Sequence, residues 1–275
     1  MKTIPFVKMS GAGNDFIIVE DLPSGDVRAL AQKVCHRTDG IGADGLMIAG
    51  PSTKADFRMR IINADGSEAE MCGNGARCMA AYLFARKNIK KPSLTMETLA
   101  GIIQAKKKGH LISVGLSNPH DYRPSVDVPI GSRTLKLSFI NTGVPHAVCF
   151  VEGLAAIDVA AIGRTIRYHE KFAPQGTNVN FIELLGDDLV AIRTYERGVE
   201  AETRACGTGS VAAAIVAHLK LNPQAASAKT AAMNVKTASG EVLKITFDLA
   251  HKKVSNVWLT GSANVIAQGT YVIKN

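Results

Sequence analysis

The sequence is short of aromatic residues, of Cys-x-x-Cys pairs and of long apolar runs, and each shortage removes a class of function. Aromatics make up 5% of the 275 residues, too few for the stacking platforms that hold single-stranded nucleic acid. A net charge of +8 does not reverse this. The basic clusters, Lys90-Lys91, Lys106-Lys107-Lys108 and Lys252-Lys253, are short and scattered, as on a solvated basic surface, and no nucleic-acid partner is expected. No segment reaches the roughly 18 continuous apolar residues of a membrane span. Met1 to Phe6 carry no apolar core of a signal peptide. No membrane partner is expected, and a cytoplasmic location is. The five cysteines, Cys35, Cys72, Cys78, Cys149 and Cys206, lack zinc or thioredoxin spacing, so no metal site is expected. In a reducing compartment they stay thiols. Cys35, Cys149 and Cys78 read as small buried hydrophobes. Gly11-Ala12-Gly13 lacks the third glycine and the following helix of a dinucleotide site, which argues against nucleotide binding.

What is present is a device that occurs twice. Met71-Cys72-Gly73-Asn74-Gly75-Ala76-Arg77-Cys78 runs into the apolar stretch Met79 to Phe84. The apolar stretch reads as a buried helix and the Gly-Asn-Gly as the turn that opens it. Ala205-Cys206-Gly207-Thr208-Gly209-Ser210 runs likewise into Val211 to Val216. Each cysteine therefore stands where unpaired N–H groups and the positive end of a helix dipole converge. Such a place acidifies a thiol and holds a carboxylate.

The surrounding chain repeats too. Cys206 lies 134 residues after Cys72 (206 minus 72). At that spacing Gly42-Ala43-Asp44 meets Gly176-Thr177-Asn178, Asn63 meets Arg197, and Glu68 meets Glu202. At a spacing of 132, Gly11 meets Gly143 and Asn14 meets His146. Collinear matches of this kind point to an internal duplication. The expected fold class is α+β: two domains of the same topology, each a mixed sheet wrapped around a central apolar helix. Residues 1–117, completed by 263–275, would form the first and 118–262 the second. Strands are expected over Ile4 to Met9, Phe16 to Glu20, Leu46 to Ile48, Phe57 to Ile62 and Leu111 to Leu116. A loop should cover Ser10 to Asp15, an amphipathic helix Val27 to Cys35, and a hairpin-type turn Asn63 to Gly66. Leu116 to Pro124 is turn-rich and reads as the linker. Ala263 to Lys274 reads as an extra strand pair. Glu68 and Glu202 are expected to bond to backbone ahead of each helix.

Equivalent loops of a duplicated fold can approach one ligand from two sides. Two thiols so placed suit inversion at a carbon that bears hydrogen: one removes the proton and the other returns one on the opposite face. The helix starts would hold the α-carboxylate whose charge grows as the proton leaves. No lysine stands at either Gly-x-Gly turn to hold pyridoxal phosphate, and no cofactor is expected.

Met71 to Cys78 (MCGNGARC) and Tyr195 to Ser210 (YERGVEAETRACGTGS) resemble the two signatures of the diaminopimelate epimerase family. Gly11 to Phe16, Asn63 to Glu68 and Gly176 to Asn178 resemble its other blocks, in order along nearly the whole chain. The resemblance implies cofactor-independent conversion of LL- to meso-diaminopimelate, on the route to lysine and peptidoglycan. It implies that Cys72 and Cys206 are the paired acid and base, and that His146 and Glu196 tune the thiols and the substrate amine. Gly73, Asn74, Gly207 and Thr208 would bind the α-carboxylate. Asn14, Asn63, Asn178, Glu196 and Arg197 would hold the substrate, with Arg197 pairing a distal carboxylate. A homodimer is implied as well. One departure stands out: Val144 occupies a position where some family members carry an asparagine that contacts substrate, and valine makes no such bond. A racemase of another amino acid, such as histidine, is the alternative. A non-catalytic amino-acid binding module is the alternative from another class.

Overall fold

The computed structural model describes residues 2–20, 22, 25–87, 89–223, 229–251 and 253–273. Its elements, in chain order, begin with β1 (Lys2–Gly11), β2 (Asn14–Glu20), α1 (Val27–Cys35), β3 (Gly45–Gly50), β4 (Phe57–Asn63), β5 (Glu68–Ala69) and α2 (Gly73–Arg86). Then come β6 (Ser93–Thr98), β7 (Gly101–Lys108), β8 (Leu111–Gly115), β9 (His120–Ile130), β10 (Arg133–Asn141) and β11 (Pro145–Phe150). The chain continues with α3 (Val159–Arg167), β12 (Asn178–Leu184), β13 (Leu189–Glu196), β14 (Ala201–Thr203) and α4 (Gly207–Leu221). It closes with β15 (Lys229–Lys236), β16 (Val242–Ala250), β17 (Lys253–Gly261) and β18 (Asn264–Ile273). The chain divides into two compact units, Met1–Gly115 with Thr260–Asn275, and Leu116–Leu259.

In the first unit β1 pairs antiparallel with β2 and β18, and β2 runs parallel to β3. β3 pairs antiparallel with β4, β4 antiparallel with β5 and parallel with β6, and β6 antiparallel with β7. In the second unit the same sequence of pairings recurs. β10 pairs antiparallel with β9 and β11, and β11 runs parallel to β12. β12 is antiparallel to β13, β13 antiparallel to β14 and parallel to β15, and β15 antiparallel to β16. The outermost strand is supplied differently. β9 precedes β10 directly, whereas β18 reaches β1 from the far end of the chain.

Each parallel pair needs a crossover that carries a helix, and the crossovers from β2 to β3 and from β11 to β12 carry the amphipathic ones, α1 and α3. α1 begins at Asp26, whose carboxylate accepts N–H bonds from Arg28 and Ala29. α3 begins at Asp158, which accepts from Ala161. Both aspartates satisfy helix-start donors. Ala31, Val34 and Cys35 of α1 pack on Ile4, Ile17, Val19, Leu46 and Ile62 of the sheet. Val159 and Ile166 of α3 pack likewise with Phe139, Phe181 and Tyr195. By contrast α2 and α4 carry mostly small or apolar side chains on all sides, which suits burial on every face. Gly73 to Ala80 of α2 and Gly209 to Ala217 of α4 are buried throughout. They form the centre about which each unit's strands are arranged.

Three expectations need correction. The loop at Ser10 to Asp15 shrinks to Ala12-Gly13, since β1 extends through Gly11 and β2 starts at Asn14. Ala12 and Gly13 both take positive φ, 52° and 92°, which closes the hairpin in two residues. The turn-rich segment Leu116 to Pro124 is half strand, because β9 begins at His120. The tail from Asn264 forms one strand, not a pair. Lys274 of that expectation, and Lys252 of the basic cluster, lie outside the described residues.

Candidate active site

Cys72 and Cys206 are the N-cap residues of α2 and α4. Both have extended backbone, φ/ψ −141°/118° and −122°/116°. The Cys72 Sγ accepts the Gly75 N–H at 3.5 Å and the Cys206 Sγ accepts the Gly209 N–H at 3.4 Å. Their carbonyls accept the first intrahelical bonds, from Ala76 at 2.8 Å and Ser210 at 2.9 Å. Sulfur therefore fills the place that Ser or Asp usually fills. The N–H groups of Gly73 and Asn74, and of Gly207 and Thr208, have no intrahelical acceptor, as at any helix start. Each head thus offers two donors and a sulfur side by side, in the field of a helix N-terminus.

The second glycine of each turn stands in tight quarters, more so at Gly209 than at Gly75. A Cβ at Gly75 would meet Met47 Sδ at 3.1 Å and Phe16 Cζ at 3.4 Å. A Cβ at Gly209 would meet Asn180 Oδ1 at 2.5 Å. The first is a sulfur in a flexible, unbranched side chain that can shift, and the second belongs to a buried, hydrogen-bonded amide.

Behind Cys72 stands a ladder of amides. Arg77, fully buried, donates from Nη1 to Asn74 Oδ1 at 3.0 Å and from Nε to the Ser262 carbonyl at 3.4 Å. Asn74 Nδ2 donates to Asn14 Oδ1 at 2.7 Å, and Asn14 Nδ2 donates to Asp44 Oδ2 at 2.9 Å. Arg77 can only donate and Asp44 only accept, so both amide orientations are fixed from the ends. Asp44 also pairs with Arg37 at 2.7 Å, and Arg37 grips Asp15 with both Nη1 and Nη2. Burial would raise the Asp15 pKa, but hydrogen bonds and charge from Arg37 and Lys8 outweigh it and hold the carboxyl below its usual range.

Behind Cys206 the support is neutral. His146 Nε2 lies 3.0 Å from Thr208 Oγ1, and Thr208 Oγ1 lies 3.4 Å from Cys206 Sγ. On the other side of the ring, Asn180 Nδ2 lies 3.0 Å from His146 Nδ1 and 3.3 Å from the Ala147 carbonyl. Thr194 Oγ1 donates to Asn180 Oδ1 at 3.0 Å. Burial, with the charge of Arg197 adding to it, lowers the His146 pKa to about 3. The ring is therefore uncharged at neutral pH.

Among the remaining expected site residues, Asn178 joins two segments. Its Nδ2 donates to the Pro145 carbonyl at 3.1 Å and its Oδ1 accepts the Arg197 N–H at 2.8 Å. The Arg197 guanidinium donates from Nη1 to the Gln175 carbonyl at 3.3 Å. Glu196 is mostly buried, which raises its pKa, while a 2.9 Å bond from Thr203 opposes the shift. Asn63 ends β4, opposite Gly45, with its amide on Ser67 at 2.9 Å. Cys35 and Cys149 are buried thiols pushed up to about 12 and about 11, and Cys78 is fully buried.

Glu68 and Glu202 do not bond to the backbone ahead of the helices. Glu68 holds Arg60 through Nε and Nη2 at 2.7 and 3.0 Å, and Glu202 holds Arg193 at 2.8 Å through each. Sulfur already occupies the cap, and both glutamates lie on short strands paired to β4 and β13. Asp44, Arg77, Asn180 and Thr194 escaped sequence reasoning. A signal existed for Asn180: Asn-Val-Asn at 178–180 places two amides on the same face of a strand.

Among the described residues no helix is long and apolar enough to cross a membrane. The sequence model of the family described as Diaminopimelate epimerase matches residues 6–120 and 138–266. The Diaminopimelate epimerase of Aquifex aeolicus is 41% identical, over 96% of this chain and 96% of its own. That of a Hydrogenobaculum species is 39% identical, over 95% and 96%. Among solved structures, a Bacillus anthracis phenazine biosynthesis protein of the PhzF family superposes with a TM-score of 0.76 at 19% identity, covering 99% of this chain and 100% of that one. A hydroxyproline epimerase from Agrobacterium vitis, with bound trans-4-hydroxy-L-proline, does so with a TM-score of 0.70 at 15% identity, covering 98% and 92%. Such low identities speak for the fold alone. The two sulfur-capped helices, the repeated strand order and the full-length matches place this chain in the diaminopimelate epimerase family.

Proposed function

We infer that the chain is an isomerase that interconverts LL- and meso-diaminopimelate, a step toward lysine and peptidoglycan precursors, by a two-base route. The observation that carries the reading is the repeated helix start, with a cysteine sulfur beside two N–H groups that have no intrahelical acceptor in each unit. Each unit is taken as one epimerase domain that brings one thiol. One sulfur, as thiolate, takes the α-proton, and its C–H electron pair moves into the α-carboxylate. The N–H groups of Gly73, Asn74, Gly207 and Thr208 stabilise the charge that grows there. The other sulfur, as thiol, gives its proton to the opposite face of the carbon. The two protonation states are exchanged at the end, ready for the reverse reaction. The reading requires both thiols to reach one carbon, and it requires no cofactor.

Asn14, Asn63 and Asn178 are assigned to the substrate, Arg197 to its distal carboxylate and Glu196 to its amine. Arg197 and Glu196 follow one another at the end of β13, so one strand end presents both signs of charge. His146 is assigned to thiol positioning rather than to proton transfer with the substrate, because both ring nitrogens are committed to hydrogen bonds, with Thr208 and Asn180, and the ring is held neutral at neutral pH. A cytoplasmic location and a homodimer complete the reading.

The test is turnover in heavy water. Diaminopimelate should gain one deuterium at the inverted centre, and Cys72→Ala and Cys206→Ala should each lower turnover by about 10³-fold or more, the scale of a lost acid–base group. Full turnover in either variant, or inversion without exchange, sinks the two-base scheme.

A further inference from the structure

The polar groups stacked under Cys206 form a chain whose direction is determined at one end. Asn180 lies in the middle of β12, fully buried, between the Thr194 hydroxyl, the Ala147 carbonyl and the His146 ring. A backbone carbonyl only accepts, so the side of Asn180 that faces Ala147 is its NH2 group. The same NH2 group faces His146 Nδ1, at 3.0 Å. The Asn180 oxygen is then left for Thr194, whose hydroxyl donates to it at 3.0 Å.

A donor at Nδ1 makes that nitrogen the acceptor, and a neutral imidazole then carries its one proton on Nε2. Nε2–H points at Thr208 Oγ1, 3.0 Å away. Having accepted there, the Thr208 hydroxyl directs its own proton elsewhere, and the Cys206 sulfur stands 3.4 Å off. Every donor in the series Thr194, Asn180, His146, Thr208 thus faces toward the sulfur. Aligned bonds of this kind reinforce one another in a dry interior. The charged group acting on His146 is Arg197, which favours the uncharged ring and so keeps the series intact. Gly209 belongs to the same arrangement, since a side chain there would strike Asn180.

We propose that Asn180 and Thr194 are positioning residues for the reaction: they lock His146 in its Nε2–H form, which turns the Thr208 hydroxyl proton onto Cys206 and favours that sulfur as thiolate. The proposal rests on the reading of Cys206 as a reacting thiol. It adds that Thr208 serves the sulfur through its hydroxyl while serving the substrate through its backbone.

The experiment reads the thiol directly, whether or not turnover occurs. Iodoacetamide labelling of the intact protein is followed against pH, with Cys72 and Cys206 resolved by peptide mass mapping. Relative to wild type, Thr208→Val should raise the Cys206 midpoint by about one pH unit, a tenfold drop in thiolate at a given pH, the scale of one bond to a charged acceptor. Thr208→Ser should restore it. Asn180→Asp puts an acceptor where Nδ1 needs a donor. It should pull the ring proton to Nδ1, reverse the Thr208 hydroxyl and raise the midpoint as far. The Cys72 midpoint should stay in place in all three. A wild-type midpoint for Cys206 in folded Thr208→Val overturns the proposal. Nitrogen-15 spectra of the wild-type histidines give a check that needs no variant. A neutral His146 ring with its proton on Nε2 at pH 7 is expected, and a proton on Nδ1 overturns the proposal. Heavy-water exchange judges the epimerase reading separately: its absence with the labelling shifts intact removes the reaction and leaves the hydrogen-bond series standing.

Discussion

Cys72 and Cys206 begin their helices with the same extended backbone, the same sulfur cap and the same pair of N–H groups without an intrahelical acceptor, yet the ground beneath them differs in kind. Under Cys72 the ladder runs from a buried guanidinium, Arg77, through Asn74 and Asn14 to the carboxylate of Asp44, itself tied to Arg37. Under Cys206 it runs through hydroxyl, amide and imidazole without a formal charge. A duplicated fold keeps the part that backbone geometry dictates and is free to change the part that side chains supply. The charged ladder ties its orientation to ion pairs, and the neutral one depends on a single histidine remaining uncharged.

Arg77→Met keeps much of the buried stem and removes the cation. It leaves Asn74 without its donor and Asp44 without the far end of its ladder. A loss of about 3 kcal/mol in urea unfolding is expected. The aligned position in the second unit is Val211, whose replacement by Ala should cost about 1 kcal/mol. A cost below 1 kcal/mol for Arg77→Met would show that the charged ladder is dispensable.

Adding a methyl group at each turn sharpens the same contrast. Gly209→Ala drives a Cβ to 2.5 Å from a fixed amide oxygen, whereas Gly75→Ala meets the sulfur of Met47 at 3.1 Å. About 2 kcal/mol is expected for the first and about half that for the second, by thermal or urea unfolding. Equal costs would mean that Asn180 is not held in place.

The neutral ladder should also be sensitive to acid. The His146 pKa is lowered in the fold, to about 3 from 6.5. The stability tied to its neutral form is therefore complete above about 6.5 and is lost as pH falls toward about 3. By pH 5 the loss is about 2 kcal/mol. Comparing unfolding midpoints of wild type and His146→Gln at pH 7 and pH 5 tests this. The pH-dependent loss should shrink by about that amount in the variant, and an unchanged loss would assign it to other groups.

The smallest expected difference concerns the paired arginines. Arg60 binds only Glu68 among the described residues, while Arg193 binds Glu202 and also the carbonyls of Leu154 and Ile157, both at 2.9 Å. Exposed or half-exposed pairs contribute little. Arg193→Lys should therefore cost about 1 kcal/mol more than Arg60→Lys, the difference being the lost carbonyl bonds. A reversed order in chemical denaturation would contradict this.

Much of the architecture was legible because it is written in local pattern. A thiol, two glycines and an apolar run place the starts of α2 and α4, and the α1 boundaries follow from amphipathic spacing after Asp26. What was not legible depends on partners distant in sequence. Arg77 is buried with an acceptor 185 positions away, and nothing near it foretells that. Leu116 to Pro124 has the composition of a linker, yet Pro124 lies in the outer strand β9, where a missing N–H costs little. Glu68 and Glu202 sit where capping residues would, but their strands face each of them to an arginine two positions along from its pairing partner. The Cys206 ladder was half visible. His146 and Thr208 stand in motifs, while Asn180 and Thr194 lie in strands whose buried polar faces appear only after folding.

The path of β18 carries a consequence for how the chain is made. Until Asn264 to Ile273 leave the ribosome, β1 has β2 on one flank and a bare edge on the other. The whole of the intervening unit, Leu116–Leu259, is synthesised during that wait. A strand left open so long is a template for wrong partners. Translation must therefore deliver the last strand before the first unit can close, which makes nascent chains cut off after β17 prone to clump rather than to persist as half-built enzyme.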